Sequence, residues 1–429
     1  MSNAHLGTSK ARLTALLDGN ARFANMRRLR AATEDVELTG IEPLLRAARR
    51  SDIDSFIVMD VMRAAAEREA AGHNVIHMEV GQPSTPAPRS ARMAAARALE
   101  SDNLGYTLAL GMPALRERIA ALYREWYGLS IAPERVVVTT GSSGAFVLAF
   151  LALFDAGARV GLTSPGYPCY RHILSAFGCE TPIIETGPAN GWMPDAAQIS
   201  AAAENGRLDG LLIASPANPT GTMLTPERLG EIARVCDAKQ VKFISDEIYH
   251  GLTYERPAAT ALQFSDHAIV INSFSKYFSM TGWRVGWMIV PPDLVRVVER
   301  LAQNLFIAAP AIAQVAALGA FDGFDELEEN RRIYAKNRDL LLNELPRAGF
   351  AKMAPADGAF YLYADVSDLT SDSPAYARRI LDEAGIALTP GVDFDAGRGD
   401  KFLRFSYSGS NADMAEAAKR LRDWRLRTA

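Results

Sequence analysis

The sequence predicts an α/β fold, with a mostly parallel seven-stranded sheet between helices and a smaller α+β domain beside it. The first observation is a series of short runs, rich in β-branched residues and bounded by Gly, Pro, Ser or Asn, that begin near residues 136, 159, 181, 210, 241, 269 and 284. The second is that helical patterns fill most of the gaps, at residues 113–126, 143–154, 226–238 and 293–321. Such alternation is typical of parallel sheets with helices on both faces.

The last two strand-like runs, at residues 269–273 and 284–290, are close together in the sequence. A parallel connection needs a crossover of about a dozen residues or more, usually a helix of ordinary length. We therefore expect this pair to be antiparallel, which would make the sheet mixed.

After about residue 322 the pattern changes to long charged helices around shorter strands. Helices are predicted at residues 326–345, 375–383 and 414–427, and strands at 359–365 and 402–407. A helix at 58–69 and a strand at 74–80 are expected to return to this second domain. The expected division is an N-terminal extension of uncertain order (1–50), a small-domain segment (51–85), a large domain (86–321) and a C-terminal small domain (322–429).

Composition and charge argue against several classes of function. Hydrophobic residues make up 48% of the chain and charged residues 22%, as in soluble globular proteins. The net charge of −4 gives no electrostatic reason to bind nucleic acid or an anionic membrane. No apolar run approaches the roughly 20 residues that cross a bilayer, and the start lacks the pattern of a signal peptide, so we expect a cytoplasmic protein.

Neither the cysteines nor the N-terminal residues indicate a separate function. Cys169, Cys179 and Cys236 form no CxxC pair, so we expect no disulfide framework and no metal site, and interpret all three as buried or partly buried thiols. The first fifty residues are rich in arginine but contain the acidic stretch 34–37. Targeting peptides avoid acidic residues, and so short a segment cannot carry the core of a DNA-binding domain.

The segment Ser273-Phe-Ser-Lys276 follows a buried apolar strand and leads to Arg284. Burying an ammonium group is costly, so a lysine at this place suits a role that needs the unprotonated amine, such as imine formation. The two serines and the arginine can bind a phosphate ester through charge-assisted hydrogen bonds. A lysine beside a phosphate site fits pyridoxal 5′-phosphate (PLP), and an exposed lysine at the start of a loop is the alternative.

The turn Thr139-Thr-Gly-Ser-Ser-Gly-Ala145 lies between a strand and a helix. Its small residues allow backbone N–H groups to face an anion, and the helix N-terminus adds a partial positive charge. The turn is a candidate phosphate cradle with Ser142 and Ser143 as donors. The alternative is a turn that only caps the helix.

Two polar motifs follow neighbouring strands. In Ser215-Pro-Ala-Asn218-Pro-Thr-Gly221, the Asn218 amide is a candidate donor to the phenolic oxygen of PLP, and its bond to the following proline is a candidate cis peptide. In Ile244-Ser-Asp246-Glu-Ile-Tyr249, Asp246 is a candidate to keep the pyridine nitrogen protonated and Tyr249 to hydrogen-bond the phenolic oxygen. An ordinary Asx turn and a helix cap are the structural alternatives.

Arg404 lies inside the apolar strand Phe402-Leu-Arg-Phe-Ser. A buried arginine needs a partner. Its planar fork suits a bidentate clamp on the α-carboxylate of a substrate, and a structural ion pair is the alternative.

In this order, the segments resemble the class I/II aminotransferases of the fold-type-I PLP-dependent superfamily, which are aspartate aminotransferase-like enzymes. The match runs from about Phe56 to the C-terminus, and the first fifty residues do not match the usual family start. The resemblance implies that Lys276 is the imine lysine and the proton-transfer base. It implies that Asp246 is the pyridinium partner and that the large domain is the PLP-binding domain. The implied partners of the phenolic oxygen and of the phosphate are Asn218, Tyr249, Ser142, Ser143, Ser273 and Arg284.

Three further positions gain a role from the resemblance alone. Tyr167, in Ser164-Pro-Gly-Tyr-Pro, matches the aromatic residue that stacks on the cofactor ring. Tyr106 matches a tyrosine that reaches the phosphate of the neighbouring subunit's cofactor, which implies a homodimer. Gly81 lies in a segment that matches the loop that closes over the substrate. The resemblance implies that Gly81, Asn218 and Arg404 bind the substrate.

The resemblance implies a transaminase of amino acid metabolism. An amino group would move from an L-amino acid to a 2-oxo acid through an external aldimine and a 1,3-proton shift by Lys276. The partners would be these small molecules, without nucleic acid or membrane. From the sequence, carbon–sulfur β-elimination and a ligand-sensing regulator with an aminotransferase-like domain stay open. No residue is assignable to a side-chain carboxylate, which favours a neutral or broad amino donor.

Overall fold

The computed structural model describes residues 47–101, 103–204 and 208–428. The chain divides into two units, Met1–Ser51 and Asp52–Ala429. In the first unit the described residues, 47–51, include the 3₁₀ turn Arg49–Ser51. The predictions for the rest of the N-terminal extension lie outside the described residues.

Strands and helices alternate through most of the second unit. The strands are β1 (Ile76–His77), β2 (Val136–Thr139), β3 (Val160–Ser164), β4 (Ile183–Glu185), β5 (Gly210–Ala214), β6 (Lys242–Asp246), β7 (Ile269–Ser273), β8 (Gly286–Ile289), β9 (Lys352–Met353), β10 (Tyr361–Asp365), β11 (Ile386–Ala387), β12 (Thr389–Pro390) and β13 (Phe402–Ser406). The helices are α1 (Ile57–Ala70), α2 (Arg89–Ser101), α3 (Pro113–Tyr127), α4 (Gly141–Leu153), α5 (Pro168–Ala176), α6 (Ala196–Glu204), α7 (Pro226–Lys239), α8 (Pro292–Leu305), α9 (Ala311–Ala320), α10 (Phe324–Glu344), α11 (Ser373–Ala384) and α12 (Asn411–Thr428).

The central sheet has the strand order β2-β8-β7-β6-β5-β3-β4. Strands β7, β6, β5, β3 and β4 are parallel, whereas β8 is antiparallel to both of its neighbours. All seven predicted runs are therefore strands, and the expected antiparallel pair is confirmed. Alternate residues enter cores on opposite faces of the sheet: Val270 belongs to one hydrophobic cluster, and Ile269 and Ile271 belong to the other.

Two smaller sheets lie outside the central sheet. One is antiparallel, with the order β12-β13-β10-β9, and the other pairs β1 in parallel with β11. The second pairing joins Ile76 to Ile386, so the segment near residue 76 returns to the C-terminal part of the chain, as expected. The domain limits at residues 51, 86 and 322 stay a prediction.

Several helix ends follow directly from local sequence. The Thr225 side chain accepts a hydrogen bond from the Arg228 N–H at the start of α7, and Asp372 accepts one from the Ala375 N–H at the start of α11. Helix α3 ends at Gly128, whose φ of 70° suits a residue without a Cβ.

The prediction of one helix over residues 293–321 is wrong. The structure has two helices there, α8 and α9, separated by residues 306–310. Ile307 has a φ of 64°, which is incompatible with a right-handed helix, and Pro310 lies directly before α9. Helices α2, α5 and α6 have no counterpart among the predicted patterns.

Two predictions about single residues and bonds are confirmed. Cys169 is half-buried, Cys179 and Cys236 are buried, and all three are free thiols. The Asn218–Pro219 peptide bond is cis. Among the described residues, no helix has the length and the apolar character needed to cross a membrane.

Candidate active site

Polar side chains gather at one edge of the central sheet, where its parallel strands end. Asp246 is the last residue of β6, Asn218 follows β5, and Lys276 follows β7. Arg284 comes just before β8 and reaches the same edge because β8 runs in the opposite direction. Open α/β sheets bind their ligands beyond the carboxyl ends of the strands, so the placement favours a functional site.

A cavity of about 590 Å³ lies at this edge of the sheet. Most of the residues that the sequence predicts for the site line it. These are Gly81, Ser142, Ser143, Tyr167, Asn218, Asp246, Tyr249, Lys276, Arg284 and Arg404. The structure thus brings together residues from seven separate sequence segments.

The Lys276 side chain points into this cavity. Its Nζ donates a hydrogen bond of 2.5 Å to the carbonyl oxygen of Gly81 and lies 5.8 Å from the centre of the Tyr249 ring. Burial, together with the positive charges of Arg404 and Arg284, lowers the pKa of Lys276 to about 8, although Asp246 acts in the opposite direction. A larger share of the amine is therefore neutral near physiological pH, as a nucleophile or a base requires.

Asp246 is a buried carboxylate with two donors. Its Oδ1 accepts the N–H of Ile248 at 3.1 Å, and its Oδ2 accepts a short hydrogen bond from the Tyr170 hydroxyl. Burial raises the pKa of Asp246 to about 6, while the hydrogen bonds from Tyr170 and Ile248 and the charge of Lys276 lower it. Above that pH the carboxylate is ionised, so it can hold a proton on a basic ring nitrogen in the cavity.

Arg404 is 2% exposed, and its hydrogen-bond partners among the described residues are all neutral. Its Nη1 donates to Oδ1 of Asn218 at 2.8 Å, and its Nη2 donates to the Thr389 hydroxyl at 3.2 Å and to the carbonyl oxygen of Glu79. Its guanidinium carbon lies 4.4 Å from the centre of the Tyr361 ring. Its Nε is buried and has no hydrogen-bond partner among the described residues.

A buried guanidinium charge is costly unless an anion compensates it. In the part of the chain that the structure describes, no carboxylate forms a salt bridge with Arg404. The structural ion pair that we considered from the sequence is therefore not observed there. The arrangement is suited to a carboxylate that arrives with a ligand.

The predicted phosphate cradle is the first turn of α4. Gly141 begins the helix with a φ of 69°, and a Cβ at this position would lie 2.6 Å from Nη2 of Arg284. The arginine thus lies directly against the turn that carries Ser142 and Ser143. A helix N-terminus beside a guanidinium group is suited to binding an anion.

Two predicted residues, Ser273 and Tyr106, do not line the cavity. Ser273 is 1% exposed, and its Oγ lies 2.9 Å from the Ser275 hydroxyl and 3.1 Å from the Val285 carbonyl oxygen. Ser275, the other serine before Lys276, lines the cavity. Tyr106 is 87% exposed, and its role at a neighbouring subunit stays a prediction.

The family model for aminotransferases of class I and II matches residues 73–421. The chain belongs to this family. It is therefore a transaminase, and the fold and the family that the sequence predicted are confirmed. The matched segment includes Lys276, Asp246, Asn218, Arg284 and Arg404.

Individual relatives and solved structures agree with this membership. The chain is 50% identical over 383 residues to valine–pyruvate aminotransferase of Mycobacterium tuberculosis. The aligned region covers 88% of this chain and 98% of the relative. It is similar to the crystal structure of an aminotransferase from Mycobacterium tuberculosis, with a TM-score of 0.87, 50% identity and coverage of 89% of this chain and all of the other. Aspartate aminotransferase of Thermus thermophilus with maleate is 31% identical, with a TM-score of 0.84 and coverage of 89% and 100%.

The structure adds residues to this aminotransferase site that sequence reasoning did not assign. Tyr170 binds Asp246, Tyr361 contacts Tyr249 and Arg404, and Phe56 lies edge-on against Tyr167 with ring centres 5.7 Å apart. The strand over residues 359–365 was expected, but nothing in its pattern showed that a tyrosine hydroxyl would enter the cavity. Tyr170 follows Tyr167 by one helical turn, which is the only signal that could have identified it.

Proposed function

We propose that this aminotransferase binds PLP in the cavity, attaches it to Lys276, and transfers the amino group of neutral aliphatic L-amino acids to a 2-oxo acid such as pyruvate. The observation that carries the proposal is Arg404. It is a buried guanidinium group without a described carboxylate partner, and it lines the same cavity as a lysine of lowered pKa.

The residues present fit PLP in charge and in shape. The turn at Gly141, with Ser142 and Arg284 beside it, would hold the phosphate, since a Cβ at Gly141 would fill the space that the arginine takes. Asp246 would face the ring nitrogen, and Asn218 and Tyr249 would face the phenolic oxygen. Tyr167 would lie on the ring face. When bound, PLP supplies an aldehyde that takes up the amino group and a ring that accepts electrons from the substrate.

Each of the other steps falls to a side chain of this protein. Arg404 and the amide of Asn218 would bind the substrate carboxylate and thereby fix the direction of the Cα–H bond. Lys276 Nζ, once released from the cofactor, would take the α-proton and deliver it to the cofactor's aldehyde carbon, which then bears the amino group. A positioned general base contributes on the order of 10²–10⁴ to the rate. Asp246 would keep the ring nitrogen protonated throughout.

The cavity wall supports a neutral aliphatic donor. Phe56, Val58, Met59 and Met62, all at the start of α1 or just before it, contribute apolar surface to the lining. The basic lining residues that the structure describes are Lys276, Arg284 and Arg404, and each already has a proposed partner. A second carboxylate, as in aspartate, would therefore find no further cation among the described lining residues of this subunit. The 50% identical relative that is named for valine and pyruvate supports the same donor class.

Amino-group transfer from a panel of donors tests this proposal. The full-length protein, loaded with PLP, is incubated with pyruvate and one amino acid, and alanine and the new 2-oxo acid are measured. Valine is expected to exceed aspartate as a donor. Release of pyruvate and ammonia from cysteine or serine without any acceptor would instead identify a β-elimination lyase.

We also propose a homodimer in which Tyr106 reaches the phosphate site of the neighbouring subunit. Tyr106 is 87% exposed, and Leu108, Leu305 and Ile307 are 62%, 49% and 49% exposed. The loop before α3, which carries Tyr106 and Leu108, is joined by Gln314 to the loop that follows α8. The Gln314 Nε2 donates to the Thr107 hydroxyl and to the Ala309 carbonyl oxygen. Exposed apolar surface of this kind is typical of subunit contacts. A monomeric mass by light scattering would contradict the dimer. The cytoplasmic location stays a prediction.

A further inference from the structure

The helix α1 carries part of the cavity wall, yet its own first turn has no local cap. Phe56 occupies the N-cap position and makes no side-chain hydrogen bond to the helix. The first N–H groups of a helix need acceptors from elsewhere, because no preceding turn supplies them. Val58, in this first turn, is buried and lines the cavity.

The missing cap comes from Asp393, more than 330 residues later in the chain. Its Oδ1 accepts the N–H of Ile57 at 3.2 Å, and its Oδ2 accepts the N–H of Val58 at 3.4 Å. Asp393 is 0% exposed. Both oxygens of one carboxylate are thus used on the positive end of α1, where a negative charge is most favourable.

The turn that carries Asp393 also reaches the proposed carboxylate clamp. The turn follows β12, where the Thr389 hydroxyl accepts a hydrogen bond from Arg404. Phe394, the residue after Asp393, has its ring centre 4.6 Å from the Arg404 guanidinium carbon. The same turn is fixed to α5, since Arg171 donates to the Asp393 carbonyl oxygen at 3.1 Å. Burial raises the pKa of Asp393, while the two N–H groups and the charges of Arg404 and Arg171 lower it.

We propose that Asp393 is a positioning residue for donor selection, because it holds the apolar start of α1 over the space that the donor's side chain occupies. Asp393 does not line the cavity in which the substrate and the cofactor are proposed to bind. It acts through Val58, Met59 and Met62, which form the wall that a branched aliphatic side chain would contact. This inference rests on the proposed transamination of aliphatic amino acids.

The wall matters only to donors long enough to contact it. Valine carries a branched side chain, whereas alanine ends at its β-carbon and depends on the clamp alone. Loss of the Asp393 cap should therefore raise KM for valine far more than KM for alanine, with a smaller change in kcat. Loss of a helix cap predicts an effect of about tenfold on the ratio of their kcat/KM values.

The test compares Asp393→Ala and Asp393→Asn with the wild type in the full-length, PLP-loaded protein. Asparagine keeps one acceptor oxygen, so an intermediate effect is expected, and this variant also serves if the alanine variant does not fold. Met62→Ala opens the wall directly and should change the ratio in the same direction. Asp372→Ala is the control, since it removes a cap from α11 but lies outside the cavity lining.

A second readout does not depend on catalysis. Hydrogen exchange of the peptide that contains Ile57 and Val58 should be faster in Asp393→Ala than in the wild type and unchanged in Asp372→Ala. Equal increases of KM for valine and alanine would place the effect at Arg404 and overturn the proposal, as would unchanged exchange at Ile57 and Val58. If the wild type does not transaminate valine at all, the proposed donor fails, and that result is visible before any variant is made.

Discussion

The hydroxyl oxygens of Tyr249 and Tyr361 lie 2.8 Å apart in the cavity. The ring of Tyr361 also lies 4.4 Å from the guanidinium carbon of Arg404. One side chain therefore contacts both the tyrosine that we assign to the cofactor and the arginine that we assign to the substrate. We expect the Tyr361 hydroxyl to position Tyr249 and the Tyr361 ring to position Arg404, independently of each other.

Replacing Tyr361 by Phe removes the hydroxyl and keeps the ring. Because only the hydrogen bond to Tyr249 is lost, we expect kcat to fall by about two- to tenfold, with KM for amino acids almost unchanged. Tyr361→Leu removes the ring as well and should also raise KM. Steady-state kinetics of the two variants distinguish the roles, and a higher KM in Tyr361→Phe would contradict the separation.

Replacing Gly141 by Ala tests the phosphate cradle. The added Cβ would lie 2.6 Å from Nη2 of Arg284, so the arginine would have to move away from the turn. A hydrogen bond from Arg284 to the phosphate is worth roughly 1.5–3 kcal/mol. Its loss should therefore lower the affinity for PLP by about tenfold or more. Equilibrium dialysis of PLP against the apoprotein measures it.

The control for this change is Gly128→Ala. Gly128 has nearly the same φ, 70° against 69°, but no atom lies within 4 Å of its added Cβ. Both variants carry the cost of an alanine in a left-handed conformation, about 1 kcal/mol of folding free energy. Only Gly141→Ala should lose affinity for PLP, and an equal loss in both would show that backbone strain alone is responsible.

The lowered pKa of Lys276 predicts how cofactor attachment depends on pH. Only the neutral amine reacts with an aldehyde, so the attachment rate should rise as the pH passes about 8, where this lysine loses its proton. An ordinary lysine would reach its half-maximal rate near pH 10.4. In Arg404→Gln the half-maximal rate should move to higher pH, because a positive charge that lowers the pKa is gone. A wild-type midpoint near 10 would contradict the assignment.

Replacing Arg404 tests the carboxylate clamp. Lysine lacks the planar fork that lies between the rings of Tyr361 and Phe394, so Arg404→Lys should not restore function. We expect kcat/KM for all amino acid donors to fall by about 10²- to 10³-fold, as when one partner of a buried charge pair is lost. Arg256→Lys is the control, since Arg256 likewise donates to neutral acceptors, here the backbone carbonyl oxygens of Leu224 and Met223, but does not line the cavity.

The strand ends of the central sheet were predictable because the local sequence is enough to locate them. Short, mostly apolar runs predict β5, β6 and β7, and the polar residues that follow a parallel strand must lie at its carboxyl edge. Because Asn218, Asp246 and Lys276 each end or follow such a run, their position at one edge of the sheet follows from the sequence alone. The antiparallel direction of β8 followed from the short connection before it.

Contacts made between distant segments were not predictable. The hydroxyl of Tyr361 enters the cavity because Gly81 has no Cβ, which would lie 1.6 Å from that oxygen. The cap of α1 by Asp393 depends on how the last strands return to the start of the chain, and no spacing encodes that. Ile307, two residues after the end of α8, has a φ of 64° that prevents a continuous helix into α9, although isoleucine is rare in that conformation and gives no turn signal.

Covalent attachment of PLP to Lys276 tests the central claim most directly. The full-length protein is incubated with PLP, reduced with borohydride, digested and analysed by mass spectrometry. We expect one labelled peptide, the one that contains Lys276, and no label in Lys276→Ala. Lys242→Ala is the control and should keep the label, since the wild-type Lys242 amine also donates to a carbonyl oxygen, at 2.8 Å. A label on another lysine, or full transamination by Lys276→Ala, would contradict the account.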